Sequence, residues 1–217
     1  MCKICRLCNN SDVEAEGLRQ RRRRETATEI HRATLELARD EGFDKVTVDA
    51  ISARAGISQR TFFNYFSSKE AALVHGPFEL AADRVLTFVA AGPCSPRQML
   101  TDVIDLLMEN MAELPPQREV MKEALTVASG HPSVLAAFLA RVDHLAQQIA
   151  DTIAERAGDR IDDVDDPTVI AALAVTAVRL GMDRWMATSP GPEGADSPAP
   201  HVHHIAVRMH AVMEGQS

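Results

Sequence analysis

Apolar residues recur along most of this chain at the spacing of one helical face, and the breaks between periodic stretches fall at glycine and proline. Ile30, Ala33, Leu37 and Ala38 form a first stripe, which stops at Gly42. Val48, Ile51 and Ala55 form a second, shorter one at i, i+3 and i+7. Thr47 precedes it as an N-cap, with Asp49 in the positively polarised first turn. Gly56 permits a sharp turn, Ile57 plugs the angle, and Ser58 caps a third helix over about 59–66. Ser67 and Glu70 have capping-box spacing, so a fourth helix is expected from near Ser68 to about Ala91. Gly76-Pro77 should kink that helix, and Gly92-Pro93 should end it.

The remainder continues in the same style. A stretch over about 96–114 carries Leu100, Ile104, Leu107 and Met111 on one face, before Pro115-Pro116 interrupts. A shorter helix is expected over about 117–129, stopped at Gly130. His131-Pro132 opens a long one over about 133–157, with Leu135, Phe138, Leu139, Val142, Leu145, Ile149 and Ile153 as its apolar positions. The acidic stretch 159–166 leads to Pro167 at the start of another helix, which reaches about Ser189. Segment 189–200 is a Pro/Gly-rich loop, and a last helix spans about 201–214. The pattern predicts an all-α protein of about nine helices, without strand-like alternation or internal repeat.

Composition supports this. Hydrophobic residues make up 46% and aromatics only 4%, so Ala, Leu, Val and Met must fill the core, as suits packed helices. No apolar run reaches 18 residues and the N-terminus lacks an apolar signal core, so no membrane partner is expected and the cytoplasm is the expected location. The net charge of −8 argues at first against nucleic acid. Its distribution reverses that. Residues 1–69 carry 13 Lys and Arg against 10 Asp and Glu, a net of +3, which leaves −11 on residues 70–217. A basic head on an acidic body fits a chain whose head alone meets phosphate.

Two short helices joined by a glycine turn are the layout of a helix-turn-helix, whose second helix enters the major groove. The run Gly56-Ile57-Ser58-Gln59-Arg60-Thr61-Phe62-Phe63-Asn64-Tyr65-Phe66-Ser67-Ser68-Lys69-Glu70 closely resembles the signature of the TetR family of bacterial transcriptional regulators. Residues 32–48, with Gly42-Phe43 and Thr47-Val48, resemble the family's first helix and its exit loop. The resemblance implies a helix-turn-helix DNA-binding domain over 21–70 and a helical ligand-binding and dimerisation domain over 71–217. Residues 1–20 read as a disordered extension.

The resemblance places Gln59, Arg60, Thr61, Phe63, Asn64 and Tyr65 at the groove or its walls, and turns Phe62 inward. It makes Thr47 and Lys69 backbone contacts. The chemistry agrees, because Arg pairs with guanine edges and Gln or Asn with adenine. The run Arg21 to Arg24 adds an electrostatic arm. In the family the last two helices pair into a dimer interface. Here Ala174 and Gly181 are small residues that permit close approach, and Val202, Ile205, Met209 and Met213 form a stripe on the last helix. Packing within one chain is the alternative use of both. Met99, Leu100, Met108, Met111, Met121, Phe138, Met182 and Trp185 are candidate walls for a small apolar or amphipathic effector, or plain core.

The expected function is therefore a homodimeric DNA-binding regulator, a ligand-released repressor on a palindromic duplex operator. No enzyme is expected, because no zinc-protease motif, phosphate-cradling glycine loop or nucleophile elbow occurs. No cofactor or metal is expected either. The rival is a redox or metal sensor built on Cys2, Cys5 and Cys8, whose C-x2-C-x2-C spacing lacks a local fourth ligand. His201 and His204, at i and i+3, could join it, although histidines flanking an apolar seam are the plainer reading.

Overall fold

The computed structural model describes residues 9–74, 76, 80–112, 115–158, 166–190 and 196–213, with side chains from Arg22 onward save that of Met213. Among these residues there are ten α-helices, one 3-10 turn and no strand. The chain divides into two compact units, Met1–His75 with Glu123–Phe138, and Gly76–Lys122 with Leu139–Ser217.

The first unit contains α1 (Asn9–Glu41), a 3-10 turn (Phe43–Lys45), α2 (Val48–Arg54), α3 (Gln59–Tyr65) and α4 (Lys69–Leu73). Ile30, Leu37, Phe43, Val46, Ile51, Phe62, Phe66 and Leu73 fill its core, none more than 4% exposed. Each large side chain buried this way stabilises by about 1.5–3 kcal/mol. His31, itself buried, donates from Nδ1 to the Ala72 carbonyl at 2.9 Å and ties α1 to α4.

Two expectations for this part are corrected. Helix α1 begins at Asn9, so residues 9–20, expected as part of a disordered extension, are helical. Glu14, Ala15, Glu16, Leu18, Arg19 and Gln20 are residue types with high helix propensity. Residues 1–8, with the three cysteines, lie outside the described residues. The fourth helix is not one kinked element over 68–91. Helix α4 ends at Leu73, and α5 (Ala82–Ala90) is separate. Pro77 lacks an N–H and disfavours helical geometry at Gly76, so the helix breaks. This split accounts for a tenth helix. The cap is also shifted by one residue, because Ser68 rather than Ser67 accepts from the Ala71 N–H, at 3.2 Å.

The second unit holds α5, α6 (Pro96–Ala112), α9 (Pro167–Ala187) and α10 (Ala199–Met213). The unit boundary passes through α7 (Arg118–Gly130) and α8 (Pro132–Ala157). Met99, Val103, Ile104, Ile149, Ile153, Ala174 and Val202 are at its centre, each 0–1% exposed. In α8 the apolar face differs from the expected stripe. Leu135 and Leu139 are 49% and 52% exposed, Val134 is buried in their place, and the stripe turns inward from Leu145.

Two buried arginines staple this unit. Arg118 pairs in bidentate fashion with Asp196 (2.7 and 3.2 Å), donates to the Thr188 and Trp185 carbonyls, and lies 4.5 Å from the Trp185 ring. Arg156 donates to the Gly92 carbonyl at 2.8 Å and to Asp102 at 2.7 Å, over the ring of Phe88. A buried guanidinium is tolerated because its donors are so fully used.

Candidate nucleic-acid interface

The reader is assembled by two side-chain caps and one glycine. Thr47 accepts from the Ala50 N–H at 3.1 Å to start α2, and Ser58 accepts from the Thr61 N–H at 3.0 Å to start α3. Between them Gly56 adopts φ 67°, a left-handed conformation open to glycine at little cost. The Ile57 N–H then donates to the Ser52 carbonyl at 2.9 Å and closes the turn. Ile57 is half-buried and lines a groove of about 230 Å³ with Ile30, Ala55, Thr26, Glu25 and Glu29.

Helix α3 is held by Phe62, fully buried, and by Phe66 just beyond its end. Their rings lie 6.0 Å apart. That anchoring directs the other face outward. Gln59, Arg60 and Asn64 are exposed, and Phe63 is 56% exposed, an unusual position for an aromatic ring in a chain with so few. Thr61 and Tyr65 are half-buried at the edges of this face. The Thr61 hydroxyl is engaged with that of Ser58 at 2.8 Å. The exposed Thr47 hydroxyl keeps its own proton to donate.

Lys69 stands apart from the other candidates. Its ammonium donates to the carbonyls of Phe43 (2.9 Å), Val46 (3.0 Å) and Asp44 (3.4 Å) and sits 4.6 Å from the centre of the Phe43 ring. An ammonium has three donors, and all three are engaged inside the protein. The side chain expected to grip a phosphate instead ties the start of α4 to the turn before α2. Arg23, expected as part of the electrostatic arm, has its guanidinium 5.5 Å from the Tyr65 ring centre, a contact with the reader that the sequence did not indicate. An arginine inside a run of four gives no signal of where it will stack. Arg22 is exposed beside it.

The remaining candidates fall into three groups. Met99, Met108 and Met111 on α6 share one core with the half-buried Met182. Trp185 is held separately, its indole N–H donating to Asp196 at 2.7 Å. Met121 and Phe138 are half-buried outside that core, and Phe138 belongs to the first unit. The dimer candidates also divide. Ala174, Gly181 and Val202 are buried within the single chain and have no surface left for a partner. Gly181 lets α9 approach Val202 of α10 closely. Ile205 and Met209 are half-buried, and the Met213 side chain lies outside the described residues. Exposed apolar residues on the same two helices are Val169, Leu180, Val207 and Val212.

Among the described residues no cluster of His, Cys, Asp or Glu is arranged to hold a metal ion. Burial pushes the Cys94 thiol up, against the pull of the Arg156 guanidinium, and Asp102 raises it further. A thiol kept protonated is a poor redox sensor. No single described helix is long and apolar enough to cross a membrane.

A glycine-turned helix pair with an anchored second helix and an outward polar face defines a helix-turn-helix transcriptional regulator. Residues 30–74 match the family described as bacterial regulatory proteins, tetR family, and residues 98–197 match the MftR C-terminal domain. The chain belongs to the TetR family of transcriptional regulators, DNA-binding proteins without enzymatic activity. It is 28% identical over 182 residues to the HTH-type transcriptional regulator TcmR of Streptomyces glaucescens, across 81% of this chain and 79% of that one. Among solved structures it is similar to Thermus thermophilus FadR, a TetR-family repressor in complex with lauroyl-CoA (25% identity, TM-score 0.46, 88% of this chain and 95% of that one). A putative TetR-family regulator from Mesorhizobium loti is also similar (16%, TM-score 0.45, 88% and 98%).

Proposed function

We propose that the chain is a homodimeric repressor that occupies a palindromic duplex operator in the cytoplasm and is released by a small apolar or amphipathic effector. The observation that carries this reading is the outward face of α3, where Gln59, Arg60, Phe63 and Asn64 are exposed over an anchor of buried Phe62 and Phe66. Arg60 and Asn64 suit guanine and adenine edges, and Phe63 suits a thymine methyl. Thr47, Thr61 and Tyr65, with Arg22 and Arg23, suit the groove walls and phosphates.

A single recognition helix reads too few base pairs for specificity, so two copies are required, and two-fold pairing makes the site an inverted repeat. The face offered for that pairing is Val169 and Leu180 on α9 with Ile205, Met209 and Val212 on α10. The last three follow one another at i, i+4 and i+7. The effector enters among Met99, Met108, Met111 and Met182, because unbranched thioethers repack around an apolar guest at little cost. Binding that favours the spacing unable to reach both half-sites weakens DNA binding by the same coupling energy, about 1–3 kcal/mol.

The test is selection of duplexes from a random pool by the full chain, followed by a screen of apolar compounds on the complex. Enrichment of an inverted repeat, with compounds that raise Tm also displacing the duplex, supports the reading. Enrichment of a single half-site, or stabilising compounds that never displace DNA, would remove the palindrome or the ligand release.

A further inference from the structure

The corner between α7 and α8 is grouped with the reader, although both helices extend beyond that unit. His131 is the single residue between those helices. Its Nδ1–H donates to the Val127 carbonyl at 2.8 Å, which fixes the ring. The ring meets the edge of Phe43 with centroids 5.1 Å apart and planes at 73°, the T-shaped geometry that aromatic pairs prefer. Its Nε2 lies 3.4 Å from an Asp44 carboxylate oxygen that is almost fully exposed, so the ring contact is the substantial one. A few residues before, Glu123 of α7 lies 4.0 Å from Arg39 of α1.

Phe43 thus has two neighbours with different attachments. Lys69 lies over its ring and bonds the carbonyls on either side of the turn, while His131 covers its edge. Thr47 and the first turn of α2 follow Val46 directly. The Phe43 ring thus belongs to the turn that leads directly into α2.

We propose that His131 is a positioning residue for DNA recognition: through the ring of Phe43 the α7–α8 corner sets the turn from which α2 begins. The inference rests on the DNA-reading role of α3. It assigns His131 no contact with DNA.

The test compares wild type, His131→Ala and His131→Phe on a duplex the wild-type chain has selected and on a random duplex of equal length. His131 is partly exposed, so the alanine chain should keep one cooperative melt. Its affinity for the selected duplex should fall about tenfold, within the range of indirect coupling effects, while affinity for the random duplex stays the same. His131→Phe, which restores the ring without the imidazole nitrogens, should recover affinity to within about threefold. The proposal is overturned by wild-type affinity in the alanine chain, by parallel loss on both duplexes, by loss of cooperative folding, or by a phenylalanine chain as weak as the alanine one. If wild type selects no duplex, the DNA-reading role fails first and this inference with it.

Discussion

Gly181 of α9 lies against Val202 of α10 so closely that a methyl group at position 181 would clash with Val202 Cγ2 and lie 2.6 Å from its Cα and 2.7 Å from its backbone N. Two of these three atoms are backbone and cannot step aside. Gly181→Ala should therefore destabilise the second unit by about 1–3 kcal/mol, more than the helix-propensity gain of about 1 kcal/mol can offset. Denaturant unfolding measures it. A variant as stable as wild type would mean that α10 can slide away from α9 freely.

Lys69 gives a prediction of the opposite kind from the one its sequence position suggests. A phosphate clamp replaced by methionine lowers the salt dependence of DNA binding by about one unit. Here Lys69→Met should leave the salt slope unchanged and instead cost about 1–2 kcal/mol of stability, since three carbonyls lose a charged donor. Thermal melts and binding at three salt concentrations separate the two roles. A reduced slope at unchanged stability would restore the phosphate contact.

His210 sets a pH dependence. It is 9% exposed on α10, with Nε2 3.3 Å from the Thr101 hydroxyl. Burial first, and the charge of Arg97 second, push its pKa below the ordinary value of about 6.5. Between the two values the unfolded chain holds more protons than the folded one, so stability rises with pH across that window. It is complete above about 6.5 and is lost as pH falls toward the folded value. Wild type should lose more Tm than His210→Gln on acidification from about pH 7.5 to 5. Parallel Tm curves would count against the buried imidazole.

The pairing face can be tested at its exposed positions. Leu180→Asp with Val212→Asp places carboxylates on the outer sides of α9 and α10, at positions 37% and 74% exposed. In a two-fold contact each new charge is buried unpaired and near its copy. Sedimentation should report monomers with unchanged helix content. An intact dimer would move the interface to other elements.

The sequence made the helix-turn-helix legible almost residue by residue, because each cap is a short-range event: Thr47 and Ser58 bond a backbone N–H three residues on. The family resemblance also separated Phe62 from Phe63, one buried and one exposed. What escaped it depends on partners far along the chain. Lys69 turned inward because a turn 23 to 26 residues earlier offered three carbonyls. The small residues of α9 carried two readings, close packing within a chain or between chains, and the position of Val202 gives the first of them to Gly181. Arg118 and Asp196, 78 residues apart, gave no local signal that they would pair in the interior.

Operator recognition requires that the outer face of α3 read bases. The most direct measurement is the affinity of wild type and Arg60→Ala for the selected duplex and for a random duplex at one salt concentration. The substitution should cost about 1–3 kcal/mol on the selected duplex and relax the preference at the base pair Arg60 faces. On the random duplex it should cost little beyond one phosphate-range charge. Equal affinity of the two chains for the selected duplex, with the same sequence preference, would contradict the assignment of α3 as the recognition helix.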